Sequence, residues 1–153
     1  MGTHYVVSID QSTQGTKAML FDEYGLLVAN EVIGHRQIVS HSGYVEHDGM
    51  EIAKNVHTII KHVINNSGID KNQVIGIGLA NQRESVIIWD RITGLPVYNS
   101  IVWQCNRATQ ICNRLSDSAD YVRRTTGLRL SPFFSGPKIA WVLENVPSAR
   151  QRA

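Results

Sequence analysis

The 153-residue chain is 42% hydrophobic and 18% charged, the balance of a soluble globular domain with a real core. A net charge of +2, with no basic run beyond Arg123-Arg124, excludes an electrostatic footprint for nucleic acid or an anionic membrane. No apolar stretch is long enough to span a bilayer, the start lacks a signal peptide, and Met1-Gly2-Thr3-His4-Tyr5-Val6 lacks the hydroxyl that myristoylation wants, so the expected compartment is the cytoplasm.

Residues 4–10 read as a first strand, apolar enough to be central and buried on both faces. Residues 16–22 read as a second, which makes Asp10-Gln11-Ser12-Thr13-Gln14-Gly15-Thr16-Lys17 the connection of a β-hairpin. Small residues there leave backbone N–H groups able to cradle an anion, and hydroxyls add donors. Lys17 brings a positive charge for phosphate oxygens, and Asp10, at a strand end, can hold Mg²⁺ through water. The same stretch also reads as a polar turn whose acid and base are only solvated. Asp22-Glu23-Tyr24-Gly25 is a turn signature, and a third strand over 26–34 completes an antiparallel meander. Residues 35–45 read as a loop.

Glu46-His47-Asp48 resembles a metal cluster, but Asp48 with Glu51 fits a capping box ahead of a helical stripe, Ile52, Val56, Ile59, Ile60 and Val63. Ser67-Gly68 ends that helix, and His57 and His62 fall on its surface. Residues 74–80 form a fourth strand, parallel to the first after a crossover helix and buried, with Gly76 and Gly78 permitting close approach of a neighbour. Gly76-x-Gly78 lacks both the third glycine and the following helix of a dinucleotide fingerprint. Asn81-Gln82-Arg83-Glu84 then lies off a strand carboxyl end, where open α/β sheets bind ligands. Residues 85–89 and 97–103 read as strands around a hairpin turn at 90–94. A helix through Ile111 and Leu115 carries Cys105 and Cys112 two turns apart, too far for a bridge and without zinc spacing, so both are expected reduced. A short helix over 119–125 ends at Gly127. A last helix starts at Ser135-Gly136-Pro137, carries Ile139, Val142, Leu143 and Val146 inward, and stops at Pro147.

Several of these stretches together go beyond spacing. The Asp10–Lys17 hairpin, Gly43-Tyr44-Val45-Glu46-His47-Asp48, Asn81-Gln82-Arg83-Glu84, Tyr98-Asn99-Ser100-Ile101-Val102-Trp103-Gln104 and Thr126-Gly127-Leu128 occur in the order and spacing of the FGGY carbohydrate kinases. The chain resembles the N-terminal, substrate-binding domain of that family over nearly its whole length, and most of all its glycerol kinase members. The resemblance implies an RNase H-like, actin-type α/β fold: a mixed sheet opening on an antiparallel meander, with helices on both faces. It implies ATP- and Mg²⁺-dependent phosphoryl transfer to a hydroxyl of glycerol or a related polyol or ketose. Asp10 would serve the metal, Thr13, Gln14 and Lys17 would face the nucleotide phosphates, and Arg83, Glu84 and Trp103 would hold the polyol. Arg83 donates and Glu84 accepts hydrogen bonds from hydroxyls, while Trp103 offers an apolar wall to the carbon backbone.

Two departures from the family pattern stand out. Lys17 stands where the family usually has Arg, which keeps the charge but loses the bidentate fork. Ser131-Pro132-Phe133-Phe134-Ser135 stands where glycerol kinases typically read Asp-Pro-Tyr-Phe-Ser. Phe133 would thus replace a polyol-facing tyrosine, which puts glycerol itself in question as the acceptor. In the family the catalytic base and the adenine pocket lie in a second, nucleotide-binding domain that these residues do not include, so the isolated chain is expected to be inactive. A reading from a different class is a non-catalytic polyol- or partner-binding module that keeps the kinase fold. Association into a homo-oligomer stays open.

Overall fold

The computed structural model describes residues 3–40 and 42–153. Met1, Gly2 and His41 lie outside the described residues, and with them the acylation reading of the N-terminus and part of the expected 35–45 loop. The elements in chain order are β1 (Tyr5–Gln11), β2 (Gly15–Asp22), β3 (Leu27–Gly34), β4 (Gln37–Val39), β5 (Val45–His47), α1 (Gly49–Ser67), β6 (Val74–Ala80), β7 (Ser100–Ile101), α2 (Thr109–Arg114), α3 (Ala119–Thr126), α4 (Ser135–Asn145) and α5 (Ala149–Arg152). They fall into two compact units, one made of the chain up to Arg36 with Met50–Gln82, the other of Gln37–Gly49 with Arg83–Ala153.

The first unit is a four-stranded sheet in the order β3-β2-β1-β6, with β1 antiparallel to β2 and parallel to β6. The antiparallel meander and the parallel fourth strand are therefore as the sequence reads. Strand alternation brings Val7 and Ile9 of β1 beside Leu20 and Ala18 of β2, all wholly or almost wholly buried. Helix α1 lays Ile59 and Val63, one turn apart, over the same cluster, with Val56, Ile60 and Ile64 at its margin. Each such side chain contributes about 1.5–3 kcal/mol when fully removed from water, so this face is what holds β1 straight up to Asp10. Gly68, at φ +74, ends α1 in the left-handed conformation that a side chain resists.

Two expectations for this unit are corrected. β1 is central but buried on one face only: Val6 is 40% exposed and Asp10 is exposed, because α1 covers the opposite face. β6 is not buried. It is the edge of the sheet, with Ile75, Ile77 and Leu79 exposed and nothing within 4 Å of a side chain built at Gly76 or Gly78.

The second unit is organised on a small antiparallel sheet, β4-β5-β7. Its core gathers Ile101, Cys105, Val142 and Ala149, with Tyr44, Tyr98 and Trp141 packed against it. The expected 35–45 loop thus contains β4 and the start of β5. The expected strand over 85–89 is reduced to isolated bridges, Val86 with Ile101 and Trp89 with Pro96, and the one over 97–103 to β7. Polar interruptions on both sides leave too little regular backbone for longer ladders. The turn at 90–94 is present, with Gly94 at φ +71 donating its N–H to Asp90 O. Cys105 precedes α2 rather than lying in it, and both cysteines are buried and free. In α4 the inward position belongs to Lys138, wholly buried, whereas Ile139 is 39% exposed. The expected stop near Pro147 holds for α4, but the chain turns into α5 at once.

Candidate functional site

The phosphate-type residues lie in the first unit. Asp10 and Lys17 face each other across the β1–β2 ladder, both exposed, with Ala80 of β6 on Asp10's other side. The turn between them is closed by Ser12, whose N–H and Oγ–H both donate to Gly15 O at 2.8 and 3.1 Å. That uses one backbone donor and one hydroxyl that the sequence offered to an anion. Thr13 and Gln14 form the tip, half-buried and exposed respectively. Gly15 is required by packing: a Cβ there would stand 2.6 Å from Ile33 O of β3. Behind the turn, Gln82 Nε2 donates to Gln11 Oε1 at 2.9 Å, which ties the chain after β6 to the end of β1. The hairpin therefore presents an acid and a base side by side at the ends of the two inner strands of the sheet.

The polyol-type residues lie in the second unit, and three of the four are linked. Glu84 adopts φ +64, a left-handed conformation rare for a side chain of this kind. Its Oε2 accepts from the backbone N–H and the Oγ–H of Ser135, at 3.0 and 2.9 Å, so the carboxylate sits on the first turn of α4. Oε1 makes no bond to Ser135. Ser85 Oγ accepts the backbone N–H of Trp103 at 3.2 Å, which seats the indole beside this loop. The Trp103 and Phe133 rings meet edge to face with centroids 5.9 Å apart, and Phe133 is still 42% exposed. Arg83 is exposed and adjoins Glu84 in the chain.

Sequence reading missed the residues that support this group. Lys138 Nζ donates to Phe133 O and, at 3.4 Å, to Phe134 O, and lies 5.8 Å from the centre of the Phe133 ring. Burial pushes its ammonium below the ordinary lysine value, while the charge of Glu84 works the other way. The same unit buries an ion pair, Arg107 Nη1 to Glu46 Oε1 at 2.7 Å, with the guanidinium 4.3 Å from the Tyr44 ring centre and 4.7 Å from that of Trp141. Burial alone would raise the Glu46 carboxyl, but hydrogen bonds from Tyr98, Asn99 and Arg107, with the Arg107 charge, hold it below the usual range. Glu46 and His47 therefore belong to the scaffold, and among the described residues no three His, Cys, Asp or Glu side chains converge as a metal cage.

A carboxylate acceptor backed by a helix start, next to two aromatic rings, suits a ligand with hydroxyls on one side and carbon on the other. Residues 5–153 match the FGGY family of carbohydrate kinases, N-terminal domain. The chain belongs to that family. A glycerol kinase of Shewanella sediminis is 46% identical over the whole of this chain, which covers 31% of that protein. The crystal structure of Plasmodium falciparum glycerol kinase with ADP superposes with a TM-score of 0.88 at 36% identity, over 97% of this chain and 30% of its own. The gluconate kinase of Lactobacillus acidophilus superposes with the same TM-score, 0.88, at 26% identity, over 99% of this chain and 30% of its own. This FGGY chain thus spans less than a third of each of these relatives, and its mixed α/β fold is the actin-type one. Equal superposition on kinases with different names shows a backbone shared across them.

Proposed function

We propose that the chain supplies the acceptor-binding part of an ATP-dependent kinase that phosphorylates a hydroxyl of glycerol or of a related polyol or ketose. The observation that carries this reading is Glu84, held by Ser135 through one carboxylate oxygen and placed in the same unit as the Trp103–Phe133 pair. Oε1 then accepts from a polyol hydroxyl, Arg83 donates to another, and the rings cover the C–H face. The relatives named glycerol kinase favour glycerol, while Phe133 offers no hydroxyl where that class has tyrosine and so favours an acceptor with fewer polar demands at that point.

On the donor side, Asp10 and Lys17 suit a nucleotide with its metal. A lone exposed carboxylate fits Mg²⁺, which keeps most of its waters and binds phosphate as well as protein, better than it fits a fully caged ion. When bound, the ion neutralises charge on the transferring phosphoryl group. Lys17 contributes a point charge to phosphate oxygens, and Thr13 and Gln14 line the turn that faces them. The base that takes the acceptor proton lies outside these residues. No helix among the described residues is long and apolar enough to cross a membrane.

The test is a coupled ADP-release assay on the protein as its native reading frame encodes it. Glycerol, erythritol, ribitol, xylulose and ribulose are the acceptors, with ATP and Mg²⁺. Turnover with at least one of them is expected, and ATP consumption that no acceptor stimulates would overturn the reading.

A further inference from the structure

Lys138 is wholly buried, at 0% exposure, an unusual place for an ammonium. An apolar side chain of similar length would fill the same space without taking a charge out of water, so filling the core does not call for a lysine. What the ammonium adds is three donors. Two of them are accounted for by the carbonyls of Phe133 and Phe134, the last residues before α4.

Those carbonyls belong to a tight turn in which Phe133 N donates to Ser131 Oγ at 3.3 Å and Phe134 N to Ser131 O at 3.2 Å. The Phe133 ring beyond them is too exposed, at 42%, for packing alone to fix it. Its edge-to-face contact with Trp103 depends on where the backbone sets it. Ser135, at the first position of α4, holds Glu84, and Lys138, three residues on, holds the turn that carries Phe133. One helix start therefore orients both the polar and the apolar side of the same group of residues.

We propose that Lys138 is a positioning residue of the acceptor site, tying the Phe133 and Phe134 carbonyls so that the Phe133 ring stands against Trp103; this rests on the acceptor reading of those residues. The lysine touches no substrate. It sets the apolar wall, and with it the choice among acceptors.

The experiment joins kinetics with NMR on the full-length protein. The Trp103 indole N–H resonance is assigned by its loss in Trp103→Phe, and Phe133→Ala gives its position without the ring contact. In Lys138→Met this resonance should move toward the Phe133→Ala position. KM for the acceptor should rise at least about tenfold while KM for ATP stays within about twofold, because a displaced wall affects only the ligand it contacts. Lys138→Gln, which keeps a shorter donor, should fall between wild type and Lys138→Met. A lysine that merely stabilises the fold would lower the melting temperature and leave Trp103 and the ratio of kcat/KM among acceptors unchanged, and that result overturns the proposal. Wild type provides a check that needs no variant: the Lys138 ammonium should give a slowly exchanging ¹⁵N signal with cross-peaks to the Phe133 ring, and its absence also overturns the proposal. If wild type phosphorylates no polyol, the acceptor reading fails, while the indole and ammonium signals still decide the tether.

Discussion

Replacing Glu84 by Gln and by Ala separates what this residue does for a ligand from what it does for the fold. Glu84→Gln keeps an oxygen that can accept both Ser135 donors, now at 3.0 and 2.9 Å. It turns the other oxygen into an NH₂ group, so the acceptor offered to a polyol hydroxyl becomes a donor. A hydrogen bond to a charged group contributes about 1.5–3 kcal/mol. At about 1.4 kcal/mol per tenfold in rate, kcat/KM should fall about ten- to hundredfold for every acceptor, with the melting temperature unchanged. Glu84→Ala should show the same kinetic loss and also remove the partner of the Ser135 N–H at the start of α4. Loss of such a cap costs about 1 kcal/mol, which lowers the melting temperature. Steady-state kinetics on the acceptor panel and calorimetry of the same preparations measure the two effects. Retention of kcat/KM within about twofold in Glu84→Gln would refute the ligand role. An unchanged melting temperature in Glu84→Ala would refute the cap.

Asp10→Asn keeps shape but removes the charge beside Lys17; kcat of the full-length enzyme should drop at least about a hundredfold, as on loss of one electrostatic stabiliser, and wild-type turnover at saturating Mg²⁺ would remove Asp10 from the metal site. Gly15→Ala drives a methyl toward Ile33 O, 2.6 Å from the ideal Cβ, and should cost about 1–3 kcal/mol in urea unfolding. Glu46 has a folded-state pKa below its unfolded one, so its contribution to stability is full above the ordinary carboxylate range and is lost as pH falls through the lowered value. Glu46→Gln should therefore be less stable than wild type at neutral pH and lose less on acidification; parallel stability curves from pH 7 to pH 3 would contradict this.

The first unit was largely legible because its signals are local. The apolar runs of β1 and β2, the i, i+4 stripe of Ile59 and Val63, and the glycine that ends α1 each suffice for their own element. Exposure was not legible. Val74–Ala80 reads as a buried strand from its composition, and only the sheet order reveals it as an edge. The second unit resisted because β4, β5 and β7 are three, three and two residues long, and such ladders are chosen by their tertiary partners. At the candidate site, Glu84, Trp103 and Phe133 could be named from the sequence, but the devices that gather them could not. Ser135 reads as an ordinary helix start. Lys138 stands one turn before Val142 on the buried side of α4, but a lysine there reads as solvent-facing by type, and its burial depends on carbonyls supplied by a turn without regular pattern.

The left-handed backbone of Glu84 also changes what counts as a neutral reference for mutagenesis. Alanine inherits the unfavourable conformation, about 1–2 kcal/mol for a residue with a Cβ, while glycine and, in part, asparagine are relieved of it. Glu84→Gly therefore loses the Ser135 cap and regains a comparable amount in the backbone, so it should be more stable than Glu84→Ala although both lack the carboxylate. Over evolutionary time the same asymmetry gives this position a direction of drift. A copy of the domain released from selection on its chemistry would slide toward glycine or asparagine here without unfolding, whereas one still under that selection must hold a glutamate against the conformational gradient.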